Sequence, residues 1–354
     1  MFAFPEKPSP APRRRTRTSS LTTGFSLVEL LVVISIIVVL MGILLVAMGP
    51  VQDIAKKMTT TATMRAFANA AEQFQMEHGQ YPGVIPDAVL AADPKISTTE
   101  NALLHLMGGY RVLHPIYAPD TSGDYASFTG ASITEITFGS SGWSLKFDPI
   151  TFGEGPIIKG KPHAPYMTPD DKSLAKILGA QIGEPSSSTS TDGLLHIPDL
   201  IDGWGQPIIY LRQQQKTGIL CGSVSDRPQF VISSAPGGPG LLDPYLKSTQ
   251  LGELGEDQTD SNPLGKHSIL NALAGGGQSF EDRLAMICQS PALYDTNDLQ
   301  AGTARGSFAL FSPGPDGIYF SRMDGPGSPA QAQDDIANPD LVKEYDDVIL
   351  FGGG

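Results

Sequence analysis

Hydrophobic and polar positions divide the chain into three stretches. From Phe25 to Met48, in FSLVELLVVISIIVVLMGILLVAM, nearly every position is apolar; Glu29 is the only charge, and Ser26, Ser35 and Gly42 are the other interruptions. A run of this length meets the roughly 20 residues needed to cross a bilayer, so the pattern predicts a transmembrane helix over 25–48. After Pro50 the pattern becomes periodic. Met64, Phe67, Ala71 and Phe74 recur at spacings of 3, 4 and 3, which predicts a helix with one apolar stripe ending near His78-Gly79. Pro50 is expected to kink this helix without ending it. A helix from Phe25 to His78 would be about 80 Å long, its second half (49–80) covered along the stripe by a globular body.

Beyond Tyr81-Pro82 the elements are short and separated by turns. Alternation through Ile133, Ile136 and Phe138, then Trp143, Leu145 and Phe147, predicts two strands joined across Gly139 to Gly142. Further strands are expected at PIIYL (Pro207 to Leu211), QFVIS (Gln229 to Ser233) and SFALF (Ser307 to Phe311). Thr168-Pro169-Asp170-Asp171 reads as the capped start of a short helix. The polar run PSSSTSTD (Pro185 to Asp192) and the acidic run GELGEDQTD (Gly252 to Asp260) read as surface loops.

Composition adds to this pattern. With 39 Gly and 29 Pro in 354 residues, the body is expected to be rich in turns and irregular connections. The first 24 residues carry a net +4, from Lys7, Arg13, Arg14, Arg15 and Arg17 against Glu6, so the rest carries −17 of the total −13. An acidic body is a poor match to nucleic acid and compatible with cations. Arginines just before an apolar run place the N-terminus in the cytoplasm and the body, 81–354, outside.

The stretch GFSLVELLVV resembles the processing site of type IV pilins and of the pseudopilins of type II secretion. It has a basic leader ending in Gly24, Phe25 as the first mature residue, and Glu29 at the fifth mature position. Three further blocks are similar to the major pseudopilin, type II secretion protein G: NAAEQFQMEHGQYP, DGWGQPIIY and SFALFSPGPDG. The resemblance implies an α+β, type IV pilin-like fold, with a long transmembrane/amphipathic helix on a small antiparallel sheet and large loop-rich insertions over about 83–200 and 234–304. It implies that residues 1–24 are a cleaved leader. It also implies a single-pass inner-membrane protein with a periplasmic C-terminal domain, assembling into a periplasmic or surface filament.

The function so implied is a structural pseudopilus subunit that supports protein export, with a large minor or tip subunit, or a type IV pilin, as the alternative. A membrane-anchored periplasmic enzyme or binding module is the reading from another class. Implied partners are a prepilin peptidase, like subunits, minor pseudopilins and the inner-membrane secretion platform. A carboxylate in an apolar helix costs about 2.5–3.5 kcal/mol by insertion scales and is normally paired or functional. Glu29 is therefore expected to pair with the new amine of a neighbour's Phe25 during assembly.

By the same resemblance, Asp316 in SPGPDG corresponds to the aspartate of the family's calcium loop, with Asp346 and Asp347 as its closing pair. Hard cations take six to eight oxygen ligands, which clustered acids and turn carbonyls supply. Here 29 residues, Gly317 to Tyr345, separate the two parts, and Asp334 with Asp335 is an alternative pair. Cys221 and Cys288, the two cysteines, could close a loop of about 68 residues worth roughly 4 kcal/mol, or remain as two buried thiols.

No catalytic constellation emerges, and the chain is expected not to be an enzyme. His78, His105, His114, His163, His196 and His267 show no zinc-type spacing, and there is no G-x-S-x-G elbow. GPIIKGKP, nearest to a phosphate loop, has Pro162 where a magnesium-binding hydroxyl is needed.

Overall fold

The structure is a computed structural model of the chain. It describes residues 26–93, 95–114, 122–175, 197–233, 268–270, 278–295, 297–321, 323–325, 336 and 338–353. Two compact units divide between Val51 and Gln52.

Helix α1, Leu27–His78, begins in the first unit and ends in the second. It starts at a capping box that the sequence pattern, read for its apolar run, had hidden. The Ser26 amide donates to Glu29 Oε2 at 2.9 Å and the Glu29 amide to Ser26 Oγ at 3.2 Å, so two orphan amides of the first turn are satisfied reciprocally. The apolar side chains from Leu27 to Ile43 are exposed and lie on every face. Among the described residues no helix is long and apolar enough to cross a membrane. The expected single-pass membrane topology is corrected accordingly.

In the second unit the predicted stripe is present: Met64, Phe67, Ala71 and Phe74 are fully buried. They pack with Ile208 and with Tyr210, Phe308, Leu310 and Val348 of a three-stranded antiparallel sheet. To name the strands in chain order, β1 is Tyr110–Leu113, β2 Thr134–Phe138, β3 Trp143–Phe147, β4 Ile157–Ile158, β5 Lys161–Pro162 and β6 Leu174–Ala175. Then come β7 Asp199–Leu200, β8 Ile209–Arg212, β9 Cys221–Ser223, β10 Phe230–Ser233, β11 Phe308–Ser312 and β12 Val348–Gly352. The sheet on α1 has the order β12-β11-β8, with Leu310 opposite both Tyr210 and Leu350. Its other face, carrying Ile209, Leu211, Ala309 and Phe311, packs on the helix Phe280–Cys288. β11 is buried on both faces, and for that reason SFALF reads as a continuous apolar run rather than an alternation.

A second three-stranded sheet, β1-β3-β2, has its own core of Ile136, Phe138, Leu145 and Phe147 with Leu104 and Ile85. The predicted β2–β3 pair is antiparallel in register, Ile136 opposite Leu145. Helices α2, Asp87–Ala92, and α3, Thr98–Met107, lie beside it. α3 opens with a capping box, Ser97 and Glu100, and its next two residues reach the first sheet. The Thr98 hydroxyl donates to Tyr210 O at 2.5 Å and the Thr99 hydroxyl to Ile208 O at 2.7 Å, tying the two sheets through one helix start. β9 and β10 form a parallel pair; β4–β5 and β6–β7 are two-residue antiparallel ribbons.

This corrects the expected fold class. The body is a mixed α/β domain of several short helices and small open sheets, not a pilin-like α+β unit with a single small antiparallel sheet carrying insertions. Segments expected as loop-rich insertions supply core: Val84, Ile85, Leu90, Leu104, Tyr110, Ile136 and Leu145 belong to the second cluster, and Phe280, Leu284 and Ile287 pack under the first sheet. At Asp171–Ser173 the expected capped helix is a single 3₁₀ turn, because the chain enters β6 at Leu174.

Candidate metal centre

β11 ends at Ser312 and the chain turns through Pro313 to Gly317. Gly314 and Gly317 both hold positive φ, +72° and +76°. At Gly314 an added Cβ would stand 3.0 Å from Asp346 O and 3.3 Å from Asp346 Oδ1, so only glycine lets this turn close against the segment entering β12. The turn is held from beneath by the DGWGQP loop. Asp202 Oδ1 accepts the Trp204 and Gln206 amides at 2.8 Å each, and Oδ2 accepts the Ser312 hydroxyl at 2.7 Å. That loop is itself seated on α1, where the Gly203 amide donates to Thr60 Oγ1 at 2.9 Å and a Cβ on Gly203 would meet Lys56 O.

Three carboxylates converge above this support. Asp316 comes from the turn, Asp346 from the approach to β12, and Asp324 from a tight turn whose amide donates to Ser321 O. One oxygen from each lies within 4.8 Å of the others. Oxygens bound to one calcium at 2.3–2.6 Å stand at most about 5 Å apart, so the three can share an ion. Asp324 Oδ2 and Asp346 Oδ1 are buried and accept no hydrogen bond. Leaving a buried carboxylate oxygen unpaired is costly, so these two oxygens call for a cation.

The electrostatics agree. Burial pushes the Asp346 carboxyl up to about 7, with Asp324 and Asp316 adding repulsion and Lys57 partly opposing it. Asp316 is raised to about 6, first by burial and then by Asp324, against the lowering effect of the Ile318 amide. Packed like charges that Lys57 opposes only in part hold protons tightly or bind a metal ion.

The sequence-predicted residues separate here. Asp316 and Asp346 meet, while Asp347 does not join them. Successive residues entering a strand point to opposite sides, and Asp347 instead accepts the Phe320 amide on both oxygens, at 3.0 and 3.1 Å. It supports Phe320 at φ +51°, and burial holds its carboxyl well above the usual range. Its assignment as a metal ligand is corrected to a backbone support. Asp324, which the sequence reading missed, is the third carboxylate of the cluster; the Asp324-Gly325 turn dipeptide was the available signal. The alternative ligands Asp334 and Asp335, the processing residues Gly24 and Phe25, and the loops 185–192 and 252–260 lie outside the described residues.

Glu29, expected to serve assembly, caps α1, and its hydrogen bonds from the Ser26 amide and hydroxyl side hold its carboxyl below the usual range. Cys221 and Cys288 are unlinked thiols in the same core cluster, where burial and the neighbouring Cys288 thiol raise Cys221.

A groove of about 720 Å³ opens beside the end of α1, lined among others by Tyr81, His105, Trp143 and Arg212. Its buried polar groups hold the fold. His105 Nδ1 accepts the Gly83 amide at 2.9 Å, and burial, with Arg212 nearby, lowers the ring to about 3. Arg212 grips Asp87 and the carbonyls of Tyr81, Pro82, Gly83 and Ile85.

No family model matches this chain, and neither a curated protein nor a solved structure does. These comparisons correct the type IV pilin and pseudopilin assignment. The filament-subunit and secretion roles, and the membrane-anchored alternative, are not retained.

Proposed function

We propose that this chain is a non-catalytic binding domain for a hard divalent cation of the calcium type, with the ion joining the turn after β11 to the entry of β12. The observation that carries the reading is the Asp316–Asp324–Asp346 cluster with its two buried, unpartnered oxygens. An all-oxygen donor set selects calcium, magnesium or manganese over zinc or copper. Ligands drawn from three separate turns suit calcium, which tolerates irregular geometry, better than magnesium, which demands a near-ideal octahedron. The ion would supply charge balance, and through it a clasp between segments distant in sequence.

Calcium titration of the full chain, followed by calorimetry and by thermal unfolding, tests this. One equivalent is expected to bind, and at one hundred times the dissociation constant to stabilise the fold by about 2.7 kcal/mol. Asp324→Ala is expected to abolish that gain. Equal calcium response in wild type and in Asp324→Ala and Asp316→Ala variants would sink the reading.

A further inference from the structure

A second cluster of different chemistry sits at the other end of the helix stripe. The last turn of α1 carries Glu77 and His78, and the loop after β5 carries His163 and Tyr166. This loop is pinned by its backbone: the His163 amide donates to Pro156 O at 2.9 Å and the Tyr166 amide to Leu106 O at 2.8 Å. A Cβ on Gly155 would collide with His163 O at 2.0 Å, so the approach depends on glycine there. Phe74 floors the site, with its ring 4.5 Å from that of His78 and 5.3 Å from that of Tyr166.

The Tyr166 hydroxyl stands among three side chains of metal-ligating type. The Tyr166 hydroxyl donates to Glu77 Oε2 at 2.6 Å, and its oxygen lies 2.9 Å from His78 Nε2 and 3.4 Å from His163 Nδ1. His163 Nδ1 is 3.1 Å from Glu77 Oε1. With the single phenolic proton given to Glu77, His78 Nε2–H must donate to the hydroxyl oxygen. A tetrahedral ion with bonds of 2.0–2.1 Å holds its ligands about 3.3 Å apart; His163 Nδ1 and Glu77 Oε1 stand 3.1 Å apart, and the ligand atoms of Glu77, His78 and His163 all lie within 4.8 Å of one another. Two imidazoles and one carboxylate are the donor types that zinc takes in protein sites.

We propose that Glu77, His78 and His163 form a binding site for a zinc-class transition metal, with Tyr166 oxygen or a water as fourth ligand. On binding, each imidazole carries its remaining proton on the nitrogen away from the ion. The metal fastens the loop 163–166 to the end of α1. The site is independent of the aspartate cluster, and it was invisible to spacing rules because 85 positions separate His78 from His163.

The test is equilibrium dialysis of the metal-stripped full chain against Zn²⁺, with Co²⁺ as a spectroscopic substitute. Wild type is expected to take up one Zn²⁺ at this site and to give the intense visible absorption of tetrahedral Co²⁺. His163→Ala and Glu77→Gln are each expected to weaken that uptake about 100-fold or more, since even outer partners of metal ligands are worth 10–100-fold. Circular dichroism checks that each variant is folded, and His163→Gln, which keeps a polar side chain, serves if His163→Ala is not. Asp346→Asn is expected to leave Zn²⁺ uptake unchanged and to lose calcium, which separates the two sites. Wild-type affinity in both Glu77→Gln and the His163 variant, no Zn²⁺ uptake by wild type, or an octahedral Co²⁺ spectrum would overturn the proposal.

Discussion

Asp87 and Asp346 are both acids drawn out of water, yet the chain treats them in opposite ways. Asp87, at the start of α2, faces Arg212, whose Nη2 lies 2.7 Å from Oδ1 and whose Nε reaches both oxygens at 3.0 and 3.1 Å. Gln214 Nε2 donates to Oδ2 as well. The four remaining donor contacts of the guanidinium go to carbonyls of 81–85, so both partners of the pair are satisfied. At Asp346 the neighbours are two more carboxylates, and one oxygen is left buried without a donor. The first region carries its own cation; the second has none among its three carboxylates, and the proposed ion would supply it. A buried charge is tolerable when paired, and the difference shows which pairing was built into the sequence.

The largest effect should come from breaking the self-contained pair. Arg212→Ala leaves Asp87 buried and four carbonyls without their donor, and is expected to cost about 3–5 kcal/mol in urea unfolding, with or without calcium. A loss below about 1 kcal/mol would place this pair with ordinary surface ion pairs.

Next comes a change of sign. Asp346→Asn is expected to stabilise the cation-free protein by about 1–2 kcal/mol, because it relieves repulsion among one exposed and two half-buried acids. In excess calcium the same substitution is expected to destabilise, because a ligand is lost. Melting curves in EDTA and in calcium give both values, and the same sign in both buffers would erase the contrast between the two regions.

A pH series sharpens the same point. Asp316 at about 6 and Asp346 at about 7 sit above their unfolded values. The folded state therefore holds protons that the unfolded chain releases, a contribution present in acid and lost as pH rises to about 7. His105, lowered to about 3, acts in the opposite sense: its contribution is full above its unfolded value of about 6.5 and is lost as pH falls below it. Between pH 6.5 and 7.5 the carboxylates work against His105 and His78, whose unfolded forms still release protons there. In EDTA stability is expected to fall over that window by at most about 1.4 kcal/mol, reduced by solvent screening. Saturating calcium is expected to remove the fall, and guanidinium unfolding at closely spaced pH values would reveal it.

The smallest effect concerns a third buried acid. Glu100 is fully buried, and burial, then Asp199, raises its carboxyl well above the usual range, while its hydrogen bonds with Ser97 lower it. Ser97→Ala removes the cap from α3 and is expected to cost about 1 kcal/mol, read as a shift in denaturation midpoint without change of slope.

Periodicity and turn chemistry made several elements legible. The stripe Met64, Phe67, Ala71, Phe74 announced the buried half of α1, and the β2–β3 pair, β8, β10 and β11 fall within about two residues of their predicted positions. These are local signals, because side-chain spacing follows helix or strand geometry whatever lies opposite. Ser26-x-x-Glu29 is a local signal of the same kind, a capping box within an apolar run.

The sequence by itself determined the buried stripe of α1, the β2–β3 pair, the places of β8, β10 and β11, and that Asp316 and Asp346 belong to acidic segments near the C-terminus. Only the tertiary structure decided that Asp324 joins them and Asp347 turns away to Phe320, and that His163 and Tyr166 reach the last turn of α1. Helix and strand periods are written within a few residues of chain. A metal centre is written in the crossing of segments, and no spacing rule fixes which segments the core will bring together.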